Sequence, residues 1–326
     1  MSLPSAAAAV ALGVGSLVTT LVDPRPATAQ PPRVGYVSGA SESSREAAFR
    51  QGLRELGYID GQNIVVEYRF AEGRYERLPG FVDELLRLNV AVIVAATTPA
   101  IQAAQRATRR VPIVMTLGEP AAGSMESLAH PGGNTTGLST INTELGGKRL
   151  ELLKEALPRL GRVGVLHNPT NPISVGQLKS VETAARALGV QIQPVAVTRD
   201  QDFERAFDAA TGERADALMI MPDQLFGDTR NARRLADLAL TRRLPMMSWS
   251  ARQTRIGTLM SYGPDEADMH LRAATYVDKI LKGGVAGDLP IEQPRKFVLV
   301  INLKTAKALG LTIRPALLLR ADEVIQ

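Results

Sequence analysis

The sequence of 326 residues contains no cysteine and only three histidines. Without cysteine there can be no disulfide bond, thiolate metal site, cysteine nucleophile or lipidated N-terminal cysteine. His130, His167 and His270 are far apart, and none lies in a metal-binding spacing such as His-Glu-x-x-His. These absences remove most routes to a metal site or to nucleophilic catalysis.

Nucleotide-binding and hydrolase motifs are also missing. Residues 146–149 (GGKR) lack both the upstream glycine and the Ser/Thr of a phosphate-binding loop, and no Gly-x-Ser-x-Gly elbow follows residue 29. A hydrolase that pairs Ser250 or Ser261 with His167 stays open as an alternative. The sequence otherwise predicts a protein that is not an enzyme and needs no cofactor.

One long apolar run covers residues 6–22, and no other approaches the ~20 residues that a membrane helix needs. An A-x-A cleavage site, residues 27–29, follows it. We therefore expect residues 1–29 to be a cleaved signal peptide and the mature chain to be a soluble periplasmic protein. The usual positive n-region is missing, so a misplaced start codon or an uncleaved anchor is the alternative.

Composition favours a globular protein with a mixed surface. Hydrophobic residues make up 45% and charged residues 22% of the chain, and the net charge is +5. Basic residues occur in no block longer than a pair, such as Arg109-Arg110, so we expect no nucleic-acid partner. The length suffices for two lobes of ordinary domain size.

The chain repeats itself at an offset of roughly 130 residues, far longer than the periods of about 20–50 residues in solenoids. Residues 33–37 (RVGYV) are echoed by 162–166 (RVGVL), and residues 111–114 (VPIV) by 244–247 (LPMM). Apolar runs of strand length alternate with helical segments, which is typical of parallel sheets covered by helices. Two similar α/β lobes in tandem, with a cleft between them, explain the pattern.

In such sheets, ligands bind beyond the carboxyl ends of the strands. Both lobes carry polar or aromatic residues at predicted strand ends, which makes them candidates for ligand binding. These candidates are Ser38, Thr97, Thr98, Glu119, Asn168, Asp223, Trp249 and Tyr262.

Several candidates have more than one interpretation. Glu119 and Asp223 could act as general acid and base, capture a ligand ammonium or hydroxyl, or cap nearby turns. Thr98 is predicted as the N-cap of a helix with Pro99 at its first position, and the same helix start could bind a carboxylate. Trp249 could be a core residue or an aromatic platform.

Two further residues are open in the same way. Tyr262 could pack at a hinge or form a pocket wall. His167 could be a hydrogen-bonded loop residue or a ligand contact.

Several sequence blocks resemble the family of ABC-transporter substrate-binding proteins that includes the tryptophan-uptake type. These blocks are 52–58 (GLRELGY), 61–64 (GQNI), 71–79 (AEGRYERLP), 131–137 (PGGNTTG), 260–264 (MSYGP), 274–280 (ATYVDKI) and 300–311 (VINLKTAKALGL). They are spread over essentially all of the mature chain.

The resemblance implies a type I periplasmic-binding-protein fold, with two Rossmann-like lobes joined by three crossovers. We then expect lobe 1 to comprise residues 30–140 plus about 263–290, and lobe 2 residues 141–262 plus about 291–326. It also implies a monomer that traps a small solute, such as an amino acid or carboxylate, and delivers it to an ABC permease in the inner membrane. In the amino-acid mode, the ligand carboxylate would meet the helix start at Thr97 and Thr98, and Asp223 or Glu119 would take the ammonium.

The chain departs from the family pattern in two places. Residues 118–120 read GEP where relatives usually have Gly-Asp-Pro, and 251–255 read ARQTR where relatives often have Arg-Glu-Phe. Both changes favour an acidic or more polar solute over an aromatic amino acid.

The same two-lobed fold also suits other functions. A ligand sensor that feeds a receptor kinase or chemoreceptor is the first alternative, and a periplasmic hydrolase that uses Glu119 and Asp223 is the second. A transcription regulator of this fold would need a DNA-binding segment ahead of Arg33, where the predicted leader lies.

Overall fold

Short apolar runs form the strands, and the central ones are buried on both faces. In Val92–Ala96, all five residues are buried, as expected for a parallel strand covered by helices on both sides. The computed structural model describes residues 30–42, 44–119, 126–171 and 173–326. Residues Pro31–Gln326 form one compact unit, and the predicted signal peptide lies outside the described residues.

The strands, in chain order, are β1 (Arg33–Ser38), β2 (Val65–Phe70), β3 (Val92–Ala96), β4 (Ile113–Leu117), β5 (Thr135–Leu138), β6 (Arg162–His167), β7 (Gln191–Ala196), β8 (Ala217–Ile220), β9 (Met246–Ser248), β10 (Met260–Pro264), β11 (Ile291–Glu292), β12 (Phe297–Asn302) and β13 (Glu323–Ile325). They form two sheets, with the orders β11-β5-β4-β3-β1-β2 and β13-β12-β10-β9-β8-β6-β7. Only the β10–β12 pair is antiparallel among these strands.

The helices are α1 (Ser44–Glu55), α2 (Leu78–Arg87), α3 (Thr98–Ala107), α4 (Asn142–Ala156), α5 (Ser174–Leu188), α6 (Phe203–Gly212), α7 (Gln224–Gly227), α8 (Thr229–Thr241), α9 (Ala251–Ile256), α10 (Glu266–Leu281), α11 (Leu303–Ala308) and α12 (Pro315–Leu318). No helix among the described residues is long and apolar enough to cross a membrane.

The two sheets repeat one order, which confirms the tandem α/β prediction. The run β5-β4-β3-β1-β2 of the first sheet corresponds to β10-β9-β8-β6-β7 of the second. We call each sheet with its packed helices a lobe. In both lobes the strand with the Arg-Val-Gly start, β1 or β6, lies second from the edge, so equivalent strand ends face the space between the lobes.

The chain passes between the two sheets three times within the described residues. The first passage follows β5, the second follows β10, and the third joins β11 to β12. After the second passage, α10 packs so closely on α1 that a Cβ atom at Gly52 would lie 2.4 Å from the Leu271 carbonyl oxygen. That contact requires glycine, and it holds α10 on the first lobe.

Apolar layers cover both faces of each sheet. Val34, Val94 and Val114 pack under α1 and α10, and Ile93 and Ile113 pack on the opposite face under α2 and α3. Each fully buried aliphatic side chain of this kind contributes about 1.5–3 kcal/mol. The second lobe is layered in the same way.

The starts of α3 and α11 differ in how they are capped. Asn302 caps α11 by accepting a hydrogen bond from the Thr305 N–H at 3.0 Å. The prediction that Thr98 is an N-cap is wrong: α3 begins at Thr98 itself, and the preceding Thr97 makes no side-chain capping bond.

Candidate functional site

A cavity of about 60 Å³ lies between the lobes at the carboxyl ends of the strands. About 10–15 Å³ of such space holds one water molecule, so the cavity can hold a small polar group in the observed conformation. Its wall is formed by Arg45, Tyr75, Thr97, Thr98, Pro99, Leu117, Gly118, Thr140, Asn142, Asn171, Ile173, Pro222, Asp223, Gln224, Trp249, Pro264 and Glu266.

The corner between β3 and α3 supplies the wall of the first lobe. Thr97 has φ 99° and ψ 145°, a region that β-branched residues rarely adopt and that costs about 1–3 kcal/mol. The Thr97 hydroxyl accepts a hydrogen bond from the Gly39 N–H at 3.2 Å, and the Thr98 hydroxyl accepts one from the Glu119 N–H at 3.0 Å. These two bonds tie the corner to the ends of β1 and β4, and strain of this kind is typical of functional sites.

A buried carboxylate supplies the wall of the second lobe. Asp223 is only 5% exposed, and it caps α7 by accepting a hydrogen bond from the Leu225 N–H at 2.8 Å. It also accepts hydrogen bonds from Asn171 Nδ2 at 2.8 Å and Asn168 Nδ2 at 3.3 Å. Burial raises the pKa of the Asp223 carboxyl, and these donors partly offset the rise. The arrangement presents an oriented acidic group to the cavity.

Tyr75 reaches from the first lobe to the second. Its hydroxyl accepts a hydrogen bond from the Gln224 N–H at 3.2 Å. Burial raises the pKa of the Tyr75 hydroxyl, and the neighbouring Asp223 raises it further. The lobes are therefore in direct contact across the cavity in this conformation.

Arg45 and Glu266 form a charged section of the wall. A guanidinium nitrogen of Arg45 lies 3.6 Å from a Glu266 carboxylate oxygen, and the two side chains are 11% and 18% exposed. Arg45 belongs to the first turn of α1, and Glu266 begins α10 directly after the N-cap Asp265. Both residues also line a second cavity of about 470 Å³ beside the passages between the lobes.

Trp249 packs in the core of the second lobe and also lines the cavity. The backbone of β10 passes close beside it: a Cβ atom at Gly263 would lie 2.0 Å from the Trp249 carbonyl oxygen. Only glycine fits there.

Four of the eight predicted residues line the cavity, namely Thr97, Thr98, Asp223 and Trp249. Asn168 lies behind Asp223 and donates to it. The Ser38 hydroxyl accepts a hydrogen bond from the Ala40 N–H at 3.0 Å, and the Tyr262 ring stacks on Phe297. These three residues support the wall without forming part of it.

Glu119 is turned toward α4 and is absent from the cavity wall. Its carboxylate accepts hydrogen bonds from the Thr143 N–H at 2.9 Å and the Thr143 hydroxyl at 2.6 Å. Asp223 likewise caps α7. Both carboxylates thus accept a hydrogen bond from a backbone N–H at a helix start. His167 also has a local role, because its Nδ1 lies 3.3 Å from the Ser174 hydroxyl.

Sequence reasoning missed several residues of the site, chiefly Arg45, Tyr75, Asn171 and Glu266. Tyr75 lies within the block at 71–79 that carried the family resemblance, which was an available signal. Arg45 lies at a helix start and Asn171 in a loop, so the strand-end rule did not select them. Glu266 lies two residues after β10, past the candidate Tyr262 within that strand.

Arg149 is another missed residue, and it organises the wall from behind. It is 1% exposed, and burial lowers the pKa of its guanidinium to about 9, so it remains charged at neutral pH. Its Nε donates to the Tyr262 carbonyl oxygen at 2.7 Å, and its Nη2 donates to Asn142 Oδ1 at 2.6 Å. The buried guanidinium thus links Asn142 of the cavity wall to β10.

The described residues contain no group of three or more histidine and acidic side chains that could hold a metal ion. The family model for ABC transporter substrate binding proteins matches residues 34–325. The chain belongs to the ABC transporter substrate binding protein family. This membership confirms the resemblance expected from the sequence blocks.

Relatives of this substrate-binding protein are themselves binding proteins. A tyrosine-binding protein of Clostridioides difficile (strain R20291) is 26% identical over 277 residues, which cover 84% of this chain and 79% of the relative. The prediction that the protein is a substrate-binding protein rather than an enzyme is therefore confirmed.

Solved structures confirm the type I periplasmic-binding fold. A conserved domain protein from Vibrio cholerae matches with a TM-score of 0.84 and 27% identity, over 90% of this chain and 100% of that one. An ABC domain in complex with L-Trp from Streptococcus pneumonia matches with a TM-score of 0.81 and 23% identity over the same shares. A ligand-free, open substrate binding protein from Clostridium difficile matches with a TM-score of 0.65 and 21% identity, over 90% and 99% of the two chains.

Proposed function

We propose that this protein traps a small amino acid between its lobes and delivers it to an ABC importer. The observation that carries the proposal is the pairing, in one interlobe cavity, of the α3 start at Thr97 and Thr98 with the buried carboxylate of Asp223. The helix start suits the ligand's carboxylate and the Asp223 carboxylate suits its ammonium, so together they match an amino acid zwitterion.

Each half of this arrangement has a physical reason. A helix start presents unpaired N–H groups and the positive end of the helix dipole, which favour a ligand carboxylate. Asp223 is held by Leu225 and two asparagines, so little conformational entropy is lost when it meets an ammonium. Two similar proteins support an amino acid ligand: one is named a tyrosine-binding protein, and the other was solved in complex with L-Trp.

Binding is coupled to closure of the lobes. The moving bodies are residues 30–140 plus about 263–290, and residues 141–262 plus about 291–326. The packing of α10 on α1 at Gly52 and Leu271 supports the grouping of the first body. A ligand that contacts both bodies favours the closed state by its difference in affinity between the open and closed conformations.

Delivery requires export and a membrane partner. Residues 1–29 are removed as a signal peptide, and the mature chain works as a periplasmic monomer beside an ABC permease in the inner membrane. Nucleic acid plays no part, because basic residues form no block longer than a pair.

The binding step is tested by calorimetric titration of the refolded protein with each of the common amino acids. We expect saturable 1:1 binding of one chemical class of amino acid. Mass spectrometry should show that the ligand is not converted into another compound. If a folded sample binds no amino acid, the proposal fails.

The delivery step is tested in cells of the source organism that lack the protein. Uptake of the radiolabelled ligand should fall on deletion and recover with the wild type, but not with Asp223→Asn. Unchanged uptake in the deletion strain would contradict delivery and leave the binding result standing.

A further inference from the structure

Asn142, the first residue of α4, lines the cavity and is only 8% exposed. The contacts proposed above for the ligand's carboxylate and ammonium do not use it. Its side-chain amide carries an acceptor atom, Oδ1, and a donor group, Nδ2. Which of the two faces the cavity decides what Asn142 can bind.

Arg149 fixes the orientation of that amide. A guanidinium only donates hydrogen bonds, and Arg149 Nη2 donates to Asn142 Oδ1 at 2.6 Å. Arg149 is itself held, because its Nε donates to the Tyr262 carbonyl oxygen at 2.7 Å. The flipped amide would place its N–H groups against those of the guanidinium. Asn142 therefore turns Oδ1 toward Arg149 and Nδ2 away from it.

The Nδ2 group of Asn142 is left as a free donor. No group of the described residues accepts a hydrogen bond from it. The atom is nevertheless accessible, and the residue lines the cavity. The bond from the charged Arg149 to Oδ1 polarises the amide and strengthens its N–H groups as donors. Asn142 thus offers the cavity an oriented donor.

This donor lies on the same side of the cavity as the start of α3. Thr140, two residues earlier, donates from its N–H to the Gly118 carbonyl oxygen at 3.0 Å. Gly118 in turn lies against α3, because a Cβ atom on it would be 2.7 Å from the Thr98 nitrogen. The N–H groups of the α3 start and of Asn142 therefore belong to one section of the wall.

Hydrogen bonding, more than net charge, sets what this section accepts. The negative charge of Glu119 raises the pKa of the Arg149 guanidinium against the larger effect of burial, so the two charges interact and partly offset each other. Two sets of N–H donors remain, and they need two acceptors. A carboxylate has two acceptor oxygens, whereas a carboxamide has one oxygen and one N–H₂ group. In either orientation, the carboxamide sets its own donor against a donor of the wall, which is unfavourable in a buried site.

The geometry points to Asn142 Nδ2 as the donor to one oxygen of the ligand's carboxylate, while the α3 start at Thr97 and Thr98 binds the other. Arg149 is the positioning residue that fixes the amide. This inference rests on the proposed amino acid function. It restricts the ligand to compounds with a free α-carboxylate and rejects their carboxamides.

Matched ligand pairs give the first test. The refolded protein is titrated calorimetrically with each common amino acid that binds, beginning with L-tyrosine and L-tryptophan, and with its α-carboxamide. The titrations are made at about pH 6, where the amino groups of both ligands are protonated. The amino acid should bind about tenfold or more tightly than its carboxamide. Equal affinities would overturn the inference while the amino acid function stands, and a folded protein that binds no amino acid would overturn the proposed function itself.

Variants of Asn142 separate its contribution from that of the α3 start. Asn142→Leu, of similar size, removes the donor without adding a charge, and it should weaken binding of the amino acid by about tenfold and of the carboxamide less. Asn142→Asp can still pair with Arg149 but turns an acceptor oxygen to the cavity. In that variant the ratio of the two affinities should fall to about one or invert, because the carboxamide N–H₂ can donate to the new oxygen.

Asn63→Asp is the matched control, because Asn63 is exposed and precedes β2, at the edge of the sheet away from the cavity. It should keep the wild-type ratio. Folded Asn142→Leu and Asn142→Asp variants that also keep that ratio would contradict the assignment of Asn142.

Two substitutions of Arg149 test its positioning role. Arg149→Gln can accept as well as donate, so the Asn142 amide becomes free to turn and the ratio should fall. Arg149→Lys only donates and should preserve the ratio. Equal ratios in the two folded variants would show that Arg149 does not orient the amide.

Discussion

The Tyr75 hydroxyl accepts a hydrogen bond from the Gln224 N–H at 3.2 Å, although the two residues are 149 positions apart in the chain. Tyr75 follows β2 of the first lobe, and Gln224 begins α7 of the second. The bond exists only when the lobes are together, so it stabilises the closed state directly. It also places an aromatic side chain beside Asp223.

The first prediction follows from that contact. Tyr75→Phe removes the hydroxyl and should destabilise the closed state by about 0.5–1.5 kcal/mol, the usual net contribution of a hydrogen bond. Ligand affinity, measured by calorimetry, should fall by roughly 2- to 10-fold. Small-angle scattering should show a larger ligand-free radius of gyration.

Tyr58→Phe is the control for this prediction. The Tyr58 hydroxyl donates to Asp278 within the first lobe, so its loss should leave affinity unchanged. Equal behaviour of the two variants would show that Tyr75 does not act across the cleft.

The second prediction concerns the buried carboxylate. Asp223→Asn keeps the shape of the side chain but removes the charge that would meet the ligand ammonium. Loss of one partner of a buried charge pair costs about 2–5 kcal/mol, so affinity should fall by about 30-fold or more. Asp208→Asn, on α6, where the carboxylate pairs with Arg242 of the same lobe, should change affinity little.

Asp223→Asn should also change the stability of the folded protein, and the direction of that change follows from the pKa of the Asp223 carboxyl. Burial raises the folded pKa of Asp223 above its unfolded value, so the ionised carboxylate destabilises the fold at neutral pH, and that cost disappears as the pH falls. Asp223→Asn should therefore be at least as stable as the wild type at pH 7 in chemical unfolding without ligand. A large loss of stability would show that the hydrogen bonds to Asp223 outweigh its burial.

The third prediction tests the strain at Thr97. A protein with glycine at a given position is normally less stable than the same protein with alanine there, by about 0.5–1 kcal/mol. At position 97 the φ of 99° reverses this order, because glycine adopts a positive φ without strain. Thr97→Gly should be more stable than Thr97→Ala by about 1 kcal/mol or more in urea unfolding. Thr140 lies on the same cavity wall and has no positive φ, so Thr140→Ala should be more stable than Thr140→Gly. If alanine is the more stable substitution at both positions, Thr97 is not strained.

The fourth prediction is a loss of stability in acid that depends on His270. Burial, and then the charge of Arg45, lower its pKa to about 4, whereas the unfolded pKa is about 6.5. The unfolded state therefore binds a proton first, and stability should fall by about 3 kcal/mol as the pH drops from about 6.5 to 4.

Urea unfolding from pH 7 to pH 4 measures this loss. His270→Gln should remove that part of the pH dependence, while His130→Gln, at an exposed loop position, should retain it. A wild-type profile that matches His270→Gln would contradict the prediction.

Much of the architecture was readable from local patterns. Buried apolar runs marked the strands, as in Val92–Ala96, and the repeat of the Arg-Val-Gly start at β1 and β6 predicted two equivalent lobes. Asp223, Thr97 and Thr98 were predictable as site candidates because they follow strands at the edge where ligands bind. These features depend on residues close together in the chain, so the sequence records them directly.

Other features came from contacts between distant residues. The direction of the Glu119 carboxylate depends on Thr143, the position of Tyr75 depends on Gln224, and Arg45 meets Glu266 only because α10 returns to the first lobe. No local pattern encodes such pairings.

The sequence by itself therefore determined the two-lobed α/β fold, the family and the edge of each sheet where a ligand would lie. Hydrophobic periodicity and turn residues act over a few positions and specify those features. Only the tertiary structure decided which side chains form the cavity wall, because the three passages of the chain bring together residues up to about 220 positions apart, as Arg45 and Glu266 are.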